Sequence, residues 1–158
     1  MSDDIIQRGT EWLEEFLSLS GLPASVMARD EGDSYWLTID HSQLTPEQIS
    51  ALIGQEGDVI DALQYLCNTM LNIHLEHGEQ TAYTIELNGY RDRRHKELRL
   101  MAEYAAAQVR LTGVDFELKS LSSPERRQVH SFLSEYDDIE TYSRGEEPDR
   151  RLVVKVKI

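Results

Sequence analysis

Three short runs in this 158-residue chain carry side chains and spacings that could hold an anion. The first is Gly54-Gln55-Glu56-Gly57. Two glycines three apart allow a tight turn to bring its backbone close to a ligand strand. A helix opening behind the turn would offer N–H groups and a positive dipole end to a phosphate. The middle residues oppose that use. Glu56, with Asp58 and Asp61 close behind, meets a phosphate with like charge, at ~1 kcal/mol per unit pair in water and about 4 Å. Alternatively, Glu56 and Asp58 simply stabilise the start of their own helix, and both readings stand.

The second run, Tyr90 to Lys96, puts Arg91, Arg93, Arg94 and Lys96 at the expected start of a helix. Cations there oppose the helix dipole, so something anionic should offset them. At about 100° per residue, Arg91 and Arg94 fall near the line of Leu98, Ala102, Ala105 and Val109, whereas Arg93 and Lys96 point away. The offsetting charge is either a bound phosphate strand or Asp92, Glu97 and the acidic first half of the chain. The third run is Ser123-Pro124-Glu125-Arg126-Arg127-Gln128-Val129-His130. Arg126 and His130 are four apart and hence neighbours on one helical face, with Arg127 turned outward. Arginine can fork onto phosphate or stack on a base, and neutral histidine can donate or accept a hydrogen bond.

Nothing comparable supports catalysis. His74 and His77 with Glu76 lack a firm third metal ligand. Cys67 falls at core spacing between Leu63 and Met70. No phosphate-binding P-loop, dinucleotide fingerprint or Ser/His/Asp set occurs, so no enzyme, cofactor or metal is expected.

The elements that must position these runs follow from patterning. Asp3 to Ser20 reads as a helix with Ile5, Ile6, Trp12, Leu13, Phe16 and Leu19 as its apolar stripe. Ser25–Asp30 and Ser34–Asp40 read as strands around the turn Glu31-Gly32-Asp33. Thr45-Pro46-Glu47-Gln48 opens a short helix with a capping box. A longer helix follows Gly57, with Val59, Ala62, Leu63, Leu66, Met70 and Ile73 expected along one side, and Ala82–Leu87 reads as a strand. Beyond Asn88-Gly89 come a long helix to about Leu111, a strand at Val114–Leu118 and a helix from Ser122 or Ser123 to about Tyr136. A loop at Thr141–Asp149 and a final strand, Arg151–Ile158, complete the chain.

Charge divides the chain at the same place. Residues 1–88 hold 16 carboxylates against Arg8 and Arg29, a balance of −14; residues 89–158 hold 14 cations against 13 carboxylates, a balance of +1. The expectation is two small domains, 1–88 and 89–158, doing different work. One cysteine, no long apolar run and a start, MSDDII, unlike a signal peptide fit a cytoplasmic protein without membrane insertion.

Five motifs occur in order: Leu52-Ile53-Gly54-x-x-Gly57, Leu63-Gln64-Tyr65-Leu66, Gly89-Tyr90-Arg91-x-Arg93-Arg94, Pro124-Glu125-Arg126-Arg127-x-x-His130, and Thr141-x-Ser143-x-Gly145-Glu146-Glu147-Pro148-x-Arg150-Arg151. Together they resemble the bacterial Jag/KhpB family (SpoIIIJ-associated proteins) over nearly the whole chain. The resemblance implies an α+β protein: a type II KH-like domain of order α-β-β-α-α-β, then a small R-three-H (Arg-x-x-x-His) domain. It further implies a non-enzymatic post-transcriptional regulator that binds single-stranded RNA; single-stranded DNA stays the other candidate because stacking and phosphate contacts do not by themselves read the 2′-hydroxyl. Gly54, Gln55, Glu56 and Gly57 take the KH-loop position, and Arg126 and His130 the signature positions. Arg91, Arg93, Arg94, Lys96, Arg127, Arg150 and Arg151 complete the expected contact set, dominated by the basic half. Gln55 and Glu56 depart from the family's basic loop, and the family's N-terminal Jag domain is expected to be absent. The competing expectation is an adaptor whose acidic half docks a small KH-domain protein or a second copy.

Overall fold

Leu13 and Leu17 stack one turn apart on helix α1 (Ser2–Leu19) and are fully buried, with Trp12 and Phe16 partly so beside them. Leu19, expected in that stripe, projects outward. The computed structural model describes residues 2–158. The chain divides into two compact units, Met1–Arg91 and Asp92–Ile158.

In the first unit, α1 leads into strands β1 (Val26–Asp30) and β2 (Tyr35–Ile39), an antiparallel hairpin turning through Glu31-Gly32-Asp33. Helix α2 (Pro46–Ile53) begins at a complete capping box: Thr45 accepts from Gln48 N, and the Gln48 side chain accepts from Thr45 N. Helix α3 (Asp58–Asn72) follows, and strand β3 (Tyr83–Leu87) pairs parallel with β2, giving sheet order β1-β2-β3. The buried side of α3 is Ile60, Leu63, Cys67 and Leu71. This corrects the expected stripe, because Val59, Leu66, Met70 and Ile73 are exposed. An arc of apolar residues flanks the true core line on this helix, and periodicity alone picked the wrong centre.

Helix α3 also closes the free edge of β3 with side-chain amides. Gln64 Oε1 accepts from Ile85 N at 2.9 Å. Asn68 accepts from Tyr83 N and donates to Tyr83 O, both at 2.8 Å. Asn72 does the same with Thr81 N and O at 2.8 Å. Four residues of helix advance about 6 Å and two residues of strand a little more, so the two periods stay in step. The edge groups that a sheet would otherwise expose are therefore satisfied within the chain.

The second unit carries most of helix α4 (Tyr90–Thr112), whose Leu98, Ala102, Ala105, Ala106 and Val109 are buried. Strand β4 (Phe116–Leu118), helix α5 (Ser123–Leu133), strand β5 (Ile139–Arg144) and strand β6 (Arg151–Val156) complete it. The sheet is antiparallel in order β4-β6-β5. Strand β5 corrects the expected loop at Thr141–Asp149. Ile139, Thr141 and Ser143 alternate with Glu140, Tyr142 and Arg144, a period of two that β6 completes by pairing along its full length. Gly145 and Pro148 made that run look like a loop, yet they mark only the hairpin turn. Leu118, Ile139, Leu152 and Val154 face the helices, and Glu117, Val153 and Tyr142 form a cross-strand row on the opposite face.

Candidate functional site

Helix α5 starts at a second capping box, with Ser122 Oγ accepting from Glu125 N at 3.3 Å and Glu125 Oε1 from Ser122 N at 3.1 Å. This start sets the rotation of the helix: Val129 and Leu133 turn into the core, and Arg126 and His130 turn toward β5 and its hairpin. Arg126 is buried, its side chain only 6% exposed. Its Nη1 donates to Leu121 O at 2.7 Å, and its Nη2 pairs with Glu147 in the β5–β6 turn. His130 is exposed and shares a hydrogen bond between Nδ1 and Thr141 Oγ1. Arg127 is exposed on the outer side of the helix. Arg150 Nη1 donates to Gly145 O at 2.6 Å, closing the turn that carries Glu147. The signature arginine and histidine thus brace the helix against the β5–β6 hairpin, one from within and one at the surface.

At the start of α4 much of the offsetting anion is the chain's own. The buried Glu86 carboxylate accepts from Arg91 N at 3.0 and 3.1 Å, placing negative charge at the positive end of the helix. The Arg91 side chain donates to Asp61 at 2.5 Å, to Gln64 Oε1 at 2.9 Å and to Ile85 O at 3.0 Å, completing the ladder along β3. Arg94 pairs with Glu125 at 2.5 Å and Glu97 at 3.1 Å. Lys96 pairs with Asp92 at 3.1 Å on an exposed surface, where such a pair holds the ammonium only loosely. Arg93 is exposed.

The Gly54–Gly57 turn lies between α2 and α3 in the first unit. Gly54 and Gly57 adopt φ of +78° and +79°, a region that favours glycine, and Glu56 joins them at +54°. A Cβ on Gly57 would lie 1.9 Å from the Tyr90 hydroxyl, which donates to Glu56 O at 3.0 Å. The turn is therefore held from behind by Tyr90, with Gln55, Glu56 and Asp58 exposed in front.

The R-three-H domain family model matches residues 96–156. The chain is 34% identical over 116 residues to the RNA-binding protein KhpB of Bacillus subtilis, covering 72% of this chain and 55% of that protein. It is 33% identical over 106 residues to KhpB of Lactiplantibacillus plantarum, covering 67% of this chain and 32% of the relative. With KhpB of Clostridium symbiosum it shares 30% over 114 residues, 72% of this chain and 50% of the relative. These matches support a Jag/KhpB-family protein. The chain spans between about a third and just over half the length of these relatives.

The R-three-H match includes Lys96, Arg126, Arg127, His130, Arg150 and Arg151, and begins beyond Arg91, Arg93 and Arg94. The alternative that the acidic first half holds these cations is met at Arg91 by Glu86 and Asp61, neither of which the sequence singled out for it, and Glu147 was missed. The signal for Glu125 was present in its capping-box spacing from Ser122. Tyr142 also escaped notice, because its segment was read as loop. It lies on the outer sheet face, 42% exposed, with Lys155 Nζ 5.9 Å from its ring centre. A hydrogen bond to Glu140 raises the Lys155 ammonium above its ordinary value. No helix among the described residues is long and apolar enough to cross a membrane.

Proposed function

We propose that the chain binds single-stranded RNA, chiefly through its second unit, and acts as a non-enzymatic post-transcriptional regulator in the cytoplasm. The observation that carries this function is the braced pair Arg126 and His130 within the R-three-H match. The KhpB relatives, each named an RNA-binding protein, support it. Phosphates would meet the outward cations Arg93, Lys96, Arg127 and Arg150 together with His130, while Arg151 stands on the opposite face of the sheet beside Glu117. Arg91, Arg94 and Arg126, held by internal acceptors, act as struts that position those groups. Gly54, Gln55, Glu56 and Gly57 contribute through backbone rather than charge. The first unit we assign to the type II KH class. Support comes from its α-β-β-α-α-β order, its mixed sheet and the glycine turn between its two middle helices.

The test is a titration of labelled single-stranded RNA at 50 and 200 mM salt. Binding that neutralises about five phosphates should weaken roughly a hundredfold between those conditions, because counterion release gives a log–log slope of about −0.7 per phosphate on single strands. No binding at low salt would overturn the proposal. Binding indifferent to salt would overturn the assignment to these cations. A DNA strand of the same sequence, used as competitor, reads whether the 2′-hydroxyl matters.

A further inference from the structure

The outer face of the β4-β6-β5 sheet points away from helix α5 and from the Arg126–His130 pair. Its composition is unusual for a solvated face. Arg144 and Arg151 are direct cross-strand partners, a placement in which like charges repel. Both guanidinium groups share one carboxylate: Arg144 pairs with Glu117, and Arg151 reaches the other oxygen of Glu117 at 2.9 Å. Two positive charges against one leave a residual positive charge at that corner. It is accessible, since the Arg144 and Arg151 side chains are 59% and 39% exposed. Tyr142 stands one row away on the same face, beside Val153 and directly across from it. Lys155 approaches the Tyr142 ring from the row beyond, paired with Glu140 at 3.0 Å. A half-exposed aromatic ring with cations on both sides is the arrangement that holds a stacked base and the phosphate next to it.

We infer that this face is a second nucleic-acid subsite, in which Tyr142 stacks on a base of the RNA strand and the Arg144–Arg151 pair takes the adjoining phosphate. The inference rests on the RNA reading above and extends it from the α5 side of the hairpin to the opposite side. Residues 141 and 143 face α5 while 142 and 144 face outward, so a strand passing the β5–β6 turn meets His130 and Arg150 first and Tyr142 next. Stacking requires only a π face, so this subsite would contribute affinity with little sequence preference.

The experiment uses the full chain with labelled single-stranded RNA and with a ribose-phosphate strand of equal length that lacks bases. Tyr142→Ala should weaken RNA binding about five- to a hundredfold, the range seen for losing one stacked base. Tyr142→Phe and Tyr142→Trp should stay within about twofold of the parent. On the abasic strand the parent and Tyr142→Ala should bind alike, because no base is present to stack. Arg144→Ala should flatten the salt slope by about 0.7, the share of one phosphate. Equal losses by Tyr142→Ala on both strands would show that the ring only covers Val153, and would overturn the stacking role. An Arg144→Ala slope equal to the parent's would overturn the phosphate assignment. Intact RNA binding by Tyr142→Ala would remove the subsite and leave the Arg126–His130 function standing. No RNA binding by the parent chain would remove both.

Discussion

Replacing Arg126 separates a residue that grips the ligand from one that holds the site together. Its guanidinium is buried, donates to the Leu121 carbonyl at 2.7 Å and pairs with Glu147, whose own side chain is 59% exposed. Alanine leaves that carbonyl without its charged donor, a loss of about 1.5–3 kcal/mol. The ion pair adds only about 0.5 kcal/mol, because Glu147 is well solvated. Some packing of the buried aliphatic stem is lost as well. The expected destabilisation of the second unit is thus about 2–4 kcal/mol. Both tryptophans, Trp12 and Trp36, lie in the first unit and report its unfolding alone. The second unit is therefore followed by native-state hydrogen exchange of amides in α5 and β6. At a temperature where the variant remains folded, its affinity for RNA should fall but its salt slope should match the parent's. A strut touches no phosphate and releases no counterion. Arg126→Lys should behave like alanine in stability, since one ammonium cannot replace a fork that bonds a carbonyl and a carboxylate together. The reasoning fails if Arg126→Ala changes stability by less than about 0.5 kcal/mol while the slope drops by about 0.7.

Further outcomes follow from the first unit. Gly57→Ala should cost about 2–4 kcal/mol, combining a left-handed backbone with a Cβ driven into the Tyr90 hydroxyl, and tryptophan fluorescence in a urea titration reads it. Asn68→Ala leaves both Tyr83 backbone groups without their partner and should cost about 2–4 kcal/mol. The same variant should self-associate at high concentration through the reopened β3 edge, which sedimentation velocity would detect; a monomeric variant of parent stability would refute the role of the amide ladder. Burial pushes the Cys67 thiol up to about 12. A raised folded value means its contribution is complete below the unfolded value near 8.5 and is lost as pH climbs toward 12. Stability should therefore fall by up to about 1.4 kcal/mol per pH unit across that window, and Cys67→Ala should abolish this part of the dependence. Iodoacetamide should label Cys67 only as fast as the first unit opens.

Much of the chain's element order was legible because local chemistry and tertiary structure agree. Thr45 and Gln48 announce α2, Ser122 and Glu125 announce α5, and both boxes form as their spacing implies. The faces of helices were less legible. On α3, apolar residues cover more than half the circumference, so the core line through Ile60, Leu63, Cys67 and Leu71 cannot be told from its neighbour by period alone. What distinguishes it is the amide row Gln64, Asn68 and Asn72, whose four-residue repeat is fixed by the edge of β3. That constraint joins residues well separated along the chain, and helical periodicity does not carry it. Strand β5 was missed for a related reason. Its alternation is modest, and its partner β6 lies beyond a turn rich in Gly, Glu and Pro.

At the candidate site, composition located the cations but not the carboxylates that hold several of them. Arg91, Arg94 and Arg126 stand on the half-buried sides of their helices, where carboxylates from neighbouring elements reach them: Asp61, Glu125 and Glu147 respectively. Burial that brings an arginine close to the core also removes it from water, and a desolvated guanidinium must find internal acceptors or cost several kcal/mol. The cations best placed for a ligand are those the same geometry leaves outside, Arg127 on α5 and Lys96 on α4. Helical phase at about 100° per residue already separates the two sets, since it turned Arg94 inward and Arg93 and Lys96 outward. Phase cannot supply the identity of the capturing carboxylate. That comes from contacts such as Arg126 with Glu147, 21 residues away in the hairpin turn, which exist only once β5 and β6 have paired.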